Sequence, residues 1–291
     1  MIRYLGLVAM VGSAVVLGAL AAGCGSSDDA GSTNSEDAGD LDGGAVDSST
    51  SFDAGTAIDA SKDAGADARP PDFTDAGPSF CSTLSPKPAF CEDFDHAGAL
   101  GDFDAVIAVA PSTASLSANE HTSGPASALI ATAQAVGTTY ASVLLRKTVT
   151  LGANVTHARL SFSYYPTSDI PQDGGSLGIA TLDIGTAHLF TLYLRDPSAM
   201  PGPALVETRS MDNRLALTNV TLPTNQWTRI VIDLDLTNTK ANVTFGATKV
   251  LTDAVIDPKS APDPTIRVGS LALGPLPAEN AYVDDVTLEV E

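Results

Sequence analysis

The chain reads as all-β: a two-sheet antiparallel sandwich or barrel standing behind a long acidic segment. Three observations predict this. Segments that alternate apolar and polar residues recur at 125–133, 142–150, 157–165, 177–184, 187–195, 204–210, 214–222, 227–236, 241–250, 265–273 and 280–290. That period of two sends one side chain to a core and the next to solvent. Gly, Pro, Asn and Asp separate the segments, as turns require. No stretch carries the stripe of an amphipathic helix. About 210 residues follow Ser79, enough for one core that buries about 70% of the unfolded chain's surface.

Residues 1–24 have the three parts of an export signal: Arg3, an apolar run from Tyr4 to Leu20, and small residues leading to Cys24. Gly6, Gly12, Ser13 and Gly18 dilute that run and make it a poor stable bilayer span. Leu20-Ala21-Ala22-Gly23-Cys24 resembles the lipobox of bacterial lipoproteins, with Ala21 where Leu is more usual. The resemblance implies that the signal is removed, that Cys24 becomes the N-terminus, and that its thiol carries diacylglycerol. It further implies an exported bacterial protein anchored in a membrane, on the periplasmic or cell-surface side of the outer membrane. Several acyl chains give stable anchoring where one does not.

Residues 25–79 form the next segment. Asp-Ala-Gly recurs at 29–31, 37–39, 53–55, 63–65 and 75–77, and 13 acidic residues face only Lys62 and Arg69, a net −11. Leu41, Val46, Phe52, Ile58 and Phe73 follow no helical or strand period. Such a segment buries too little to offset its ordering entropy and is expected to be a disordered tether, spanning roughly 40 Å as a flexible coil. Asp40-Leu41-Asp42-Gly43 lacks the spacing and closing Glu of a calcium loop. With Cys24 given to lipid, Cys81 and Cys91 are an even pair outside the cytoplasm, with Pro86 and Pro88 favouring a turn between them. A disulfide there would contribute on the order of 2–3 kcal/mol. The folded domain is expected over 80–291.

Four short motifs carry a second resemblance. Phe90-Cys91-Glu92-Asp93-Phe94-Asp95 opens the domain, and Ser123-Gly124-Pro125-Ala126-Ser127-Ala128-Leu129 follows. Leu222-Pro223-Thr224-Asn225-Gln226-Trp227-Thr228-Arg229-Ile230 comes later, and Ala281-Tyr282-Val283-Asp284-Asp285-Val286 closes the chain. Their order resembles the concanavalin A-like lectin/glucanase superfamily, in particular LamG-like jelly rolls on bacterial lipoproteins. Galactose-binding-like jelly rolls are similar at both ends and remain the alternative.

The glucanase branch of that superfamily uses Glu-x-Asp-x-x-Glu on one strand, where period-two geometry aims alternate carboxylates into a cleft. No such sequence occurs here. Gly174-Gly175-Ser176-Leu177-Gly178 matches a nucleophile elbow but precedes a strand-like segment where the elbow needs a helix. His96, His121, His157 and His188 stand singly. The expectation is therefore a non-catalytic module that binds carbohydrate or another surface polymer, with a structural or protein-interaction envelope lipoprotein as the alternative and an unrecognised polysaccharide hydrolase or lyase as the remote one.

Two candidate sites remain. Along 280–290, Tyr282, Asp284, Val286, Leu288 and Val290 share one face, which apolar continuity assigns to the core, so Asp284 is expected to point inward. The galactose-binding-like resemblance implies a structural Ca²⁺ held by acidic residues near the two chain ends, here Asp284 with Glu92 or Asp93; no other cofactor is expected. For sugar, aromatic faces must point away from the core. Alternation leaves Tyr165, Tyr193, Arg195, Trp227 and Arg229 outward, a polar-aromatic groove if their strands share one sheet. The expected partners are the membrane, through lipidated Cys24, and a glycan or envelope protein. Net charge is −20 for the chain and about −10 within 80–291, which excludes nucleic acid by repulsion.

Overall fold

The computed structural model of the protein describes residues 71–74, 77–137, 139–169, 175–185, 189–195, 202–207, 213–257 and 263–291. Cys24, the signal, almost all of the tether, Gly174 and His188 lie outside the described residues. The described residues fall within one compact unit.

Fifteen strands make two sheets among the described residues. The first sheet takes β1 (Phe90–Glu92), β3 (Thr113–Ser117), β4 (Ser127–Thr132), β6 (His157–Pro166), β11 (Thr228–Asp235), β12 (Lys240–Phe245), β13 (Thr248–Val255) and β15 (Glu279–Val290). Its order is β13-β12-β11-β6-β15-β4-β3, with β1 also on β15. The second sheet takes β2 (Ala105–Ala108), β5 (Tyr140–Thr148), β7 (Ser176–Asp183), β8 (Leu189–Arg195), β9 (Ala204–Glu207), β10 (Asn213–Ala216) and β14 (Thr265–Leu273), in the order β10-β9-β8-β7-β14-β5-β2. The pairings within both sheets are antiparallel. This is a two-sheet jelly-roll sandwich. The expected strand over 241–250 is two: Gly246, at φ 57°, turns the chain between β12 and β13.

The inner faces follow the alternation. Leu160, Phe162 and Tyr164 of β6 and Ile230, Ile232 and Leu234 of β11 meet Val143 and Leu145 of β5, Phe190 and Leu192 of β8, and Ile266 and Val268 of β14, all at most 1% exposed. The Cys81–Cys91 disulfide is present. It ties a short helix, Phe80–Thr83, to β1. At Gly269 the chain takes φ 141°, and a Cβ there would lie 2.2 Å from the Val143 carbonyl oxygen. No L side chain fits where β14 crosses β5. Gly269→Ala is expected to cost about 2–3 kcal/mol, read as a lower midpoint in chemical denaturation; an unchanged midpoint would contradict the close approach.

Candidate functional site

β15 does not keep the phase that its sequence suggests. Its register on β6 shifts between Asp284 and Thr287, and Asp285 takes φ 51°, a left-handed conformation that Asp tolerates better than branched residues. Before this bulge Ala281 and Val283 face the core, and after it Val286 and Leu288 do. Tyr282 pairs Tyr165 and Asp284 pairs Ser163, both on the outer face. The expectation of an inward Asp284 is thus corrected: the extra residue reverses the alternation.

The same register splits the expected calcium ligands. Glu92 of β1 pairs Val286, so it lies toward the inner side while Asp284 lies on the outer one. Asp93 Oδ2 accepts from the Cys81 N–H at 2.8 Å. Asp284 instead faces the loop before β4: Oδ2 accepts from the N–H groups of Thr122 (2.8 Å) and Ser123 (3.3 Å), and Oδ1 from the Asp285 N–H (2.8 Å). Thr122 Oγ1 lies 3.0 Å from Asp284 Oδ2 and 2.7 Å from Asp285 Oδ2. One hydroxyl proton serves only one of those oxygens. A protonated Asp284 completes the count. Burial pushes its carboxyl up to about 8, the Asp285 charge adds to this, and the Thr122 bonds oppose it. Burial likewise raises Asp95 to about 6, with the Asp93 and Asp285 charges contributing. Both Asp95 oxygens are buried without a hydrogen bond of normal geometry.

Three of the five residues expected to bind sugar come together here. Tyr165 packs on Trp227 (centroids 5.3 Å) and on Tyr282 (5.7 Å). Yet Tyr165 is 9% and Tyr282 6% exposed, with Glu120 against the Tyr165 phenol. Their faces are spent on one another. Arg229 is also engaged: Nη1 donates to the Asp285 carbonyl (2.6 Å), Nη2 to Ser161 Oγ (2.9 Å), and Phe80 covers it at 5.4 Å. Tyr193 and Arg195 are on β8, in the second sheet, so the expected five-residue groove does not form. Arg195 lines a cleft of about 390 Å³ with Asp169, Leu194, Pro203 and Leu222. Ser176, the serine of the elbow-like sequence, opens β7 with its hydroxyl buried.

The second sheet's outer face carries a feature that single-strand reading missed. Arg146 of β5 stands directly opposite Arg267 of β14, which stands opposite Thr181 of β7, itself opposite Thr191 of β8. Like charges directly opposed on a sheet repel. Asp183 reaches Arg267 at 3.9 Å. Arg146 Nε is buried without a hydrogen-bond partner among the described residues. Beside this row the Tyr193 ring lies across Gly178, where a Cβ would sit 3.3 Å from it. The Thr181 and Thr191 hydroxyls are buried and lie 3.5 Å from one another. The face therefore offers two forked guanidiniums beside an aromatic ring, a set suited to an anion carried on a ring. Outward positions were legible in the strands; that Arg146 and Arg267 meet was not, because sequence gives no register between β5 and β14.

Neither a protein-family model nor a curated protein sequence matches the chain. Solved structures similar to it include an endo-β-1,4-glucuronan lyase from Trichoderma reesei, with 16% identity, 70% of this chain and 96% of that one covered, and a TM-score of 0.47. Another is the cellulose-induced protein Cip1, with 12% identity, 68% and 96% covered, and a TM-score of 0.48. A β-1,3-glucanase from Mycobacterium marinum has 13% identity, 70% and 100% covered, and a TM-score of 0.45. The expectation of a non-catalytic module is corrected by these neighbours. Lyases and glucanases are among them, so a missing Glu-x-Asp-x-x-Glu does not exclude an enzyme.

The bulge makes stability pH-dependent. A carboxyl whose pKa is raised on folding stabilises fully below its unfolded value, 3.8 for Asp284, and the contribution is lost as pH rises toward about 8. In metal-free buffer the melting temperature is expected to fall between about pH 5 and pH 8. Asp284→Asn, which cannot ionise, is expected to reduce that fall by the share of one carboxyl, since burial raises Asp95, Glu279 and Glu92 as well; an equal fall in the variant would place the titration elsewhere.

Proposed function

We propose that this chain is a membrane-anchored, carbohydrate-active protein that engages an acidic polysaccharide across the outer face of the second sheet. The observation that carries this is the opposed pair Arg146 and Arg267. Two guanidiniums fixed side by side, with Asp183 beside one of them, are matched by a carboxylate that takes two parallel N–H bonds. A uronate carries that carboxylate on a ring whose apolar face fits against Tyr193. The domain is acidic as a whole, so the arginine row supplies attraction at hydrogen-bond distance rather than long-range steering.

Alginate and polygalacturonate, with dextran as the neutral control, test this on the untagged mature chain. Binding is expected to be selective for the two uronate polymers. Arg146→Ala or Arg267→Ala is expected to weaken it about tenfold or more, the loss of one charged bidentate contact. Equal binding of dextran, or full binding by both variants, would overturn the proposal. A rise of unsaturated sugar ends in the same mixtures would identify lyase chemistry, and a rise of reducing ends alone would identify hydrolysis.

A further reading belongs to the same proposal. Cys24 carries the lipid that anchors the chain, supported by the small residues before it and the acidic spacer behind it. Cys24→Ser is expected to move the protein from the membrane fraction to the soluble one; a variant that stays in the membrane fraction would refute lipid anchoring.

A further inference from the structure

The loop after β1 gathers a second set of ligating groups, distinct from the bulge. Glu92, His96 and Asp102 place one donor atom each within 4.8 Å of one another. His96 Nε2 lies 2.9 Å from Asp102 Oδ2 and 3.8 Å from Glu92 Oε1. Glu92 is 3% exposed, whereas His96 and Asp102 are each about half exposed. The group is therefore anchored on one side and open to solvent on the other.

Its support is rigid. Glu92 ends β1, and its Oε1 accepts from the Phe94 N–H at 2.8 Å. Asp102 ends a one-turn 3₁₀ helix, Ala99–Asp102. The Ala99 N–H donates to the His96 carbonyl (3.1 Å) and the Gly101 N–H to the Gly98 carbonyl (2.7 Å), which closes the loop back over β1. Beneath it Phe103 packs on Phe90 (5.3 Å) and on Phe94 (5.9 Å), and Phe94 and Ala99 are fully buried. A site held on packed aromatic side chains is preorganised, so little ordering is needed on binding.

We infer that Glu92, His96 and Asp102 bind a divalent transition metal of the Zn²⁺ class. An imidazole with two carboxylates suits Zn²⁺, Co²⁺ or Mn²⁺, whereas Ca²⁺ takes six to eight oxygens. Without a cation the arrangement is costly. Glu92 is buried, and its carboxylate and that of Asp102 lie within 4.8 Å of each other. A metal satisfies both carboxylates at once. Three protein ligands with two at the surface leave a coordination position open to water or to a ligand oxygen. This site is independent of the arginine face.

Calorimetric titration of the untagged mature chain with ZnCl₂ and CaCl₂ tests the inference. Zn²⁺ is expected to bind one-to-one at this site, and Co²⁺ to give visible absorption bands of a nitrogen- and oxygen-ligated ion. Both exposed ligands can be changed without touching the core. His96→Ala and Asp102→Asn are each expected to weaken Zn²⁺ about tenfold or more, while Asp284→Asn leaves it unchanged. Zn²⁺ binding that neither loop variant weakens, or no Zn²⁺ binding by the wild type, would overturn the site.

Discussion

The structure turns on one extra residue in its last strand. On one edge β15 pairs β6 along most of its length; on the other it pairs β4 through Glu279–Val283 and then β1 at Val286–Leu288. The bulge at Asp284 and Asp285 falls where that partner changes. Strand alternation cannot continue through such a junction with both halves packed inward, so the added residue restores Val286 and Leu288 to the core. Thr122 and Ser123 close the gap from one side and Arg229 holds the Asp285 carbonyl from another. The neutral carboxyl of Asp284 follows from this closure, because a charge there is cut off from water and set against Asp285.

That junction decides what the first sheet can do. Tyr165, Trp227 and Tyr282 gather on its outer face, where Tyr165 and Tyr282 are buried against one another and Trp227 is half-buried. Aromatic area that a sugar ring would need is already buried, and Arg229 serves the bulge and Phe80. The second sheet's outer face is polar, with Thr181 and Thr191 buried between its strands. Its outer face keeps Arg146 opposite Arg267, an arrangement that costs repulsion within the protein and is relieved by an anion. The contrast between a packed aromatic cluster and two directly opposed guanidiniums is what directs the functional reading to the second sheet.

Much of the fold was legible. β5, β6, β7, β11 and β14 lie within two residues of their alternating segments, because a strand with one buried face must alternate. β2 and β3 went unseen: they are short edge strands, Ala105–Ala108 and Thr113–Ser117, and at most one residue in each is buried. The Cys81–Cys91 pair was legible by counting cysteines. The candidate sites were legible only as parts. Alternation assigned Tyr193 and Arg195 correctly to outward positions, yet said nothing of which sheet β8 joins. It failed at Asp284 because a bulge carries no sequence mark beyond a residue able to take positive φ. Glu92 and His96 were noticed singly and Asp102 was not, because the turn that joins them is fixed by Phe94 and Phe103.

By itself, then, the sequence determined the all-β class, the positions of most strands, which side chains each strand offers to either face, and a disulfide. These are local consequences of a period of two and of the chemistry of individual residues. Only the tertiary structure decided which strands are neighbours, in which register, and where the alternation breaks. Those depend on contacts between residues far apart in the chain, and every grouping with chemical consequence here is of that kind or rests on long-range packing: Asp284 with Thr122, Arg146 with Arg267, and Glu92 with Asp102.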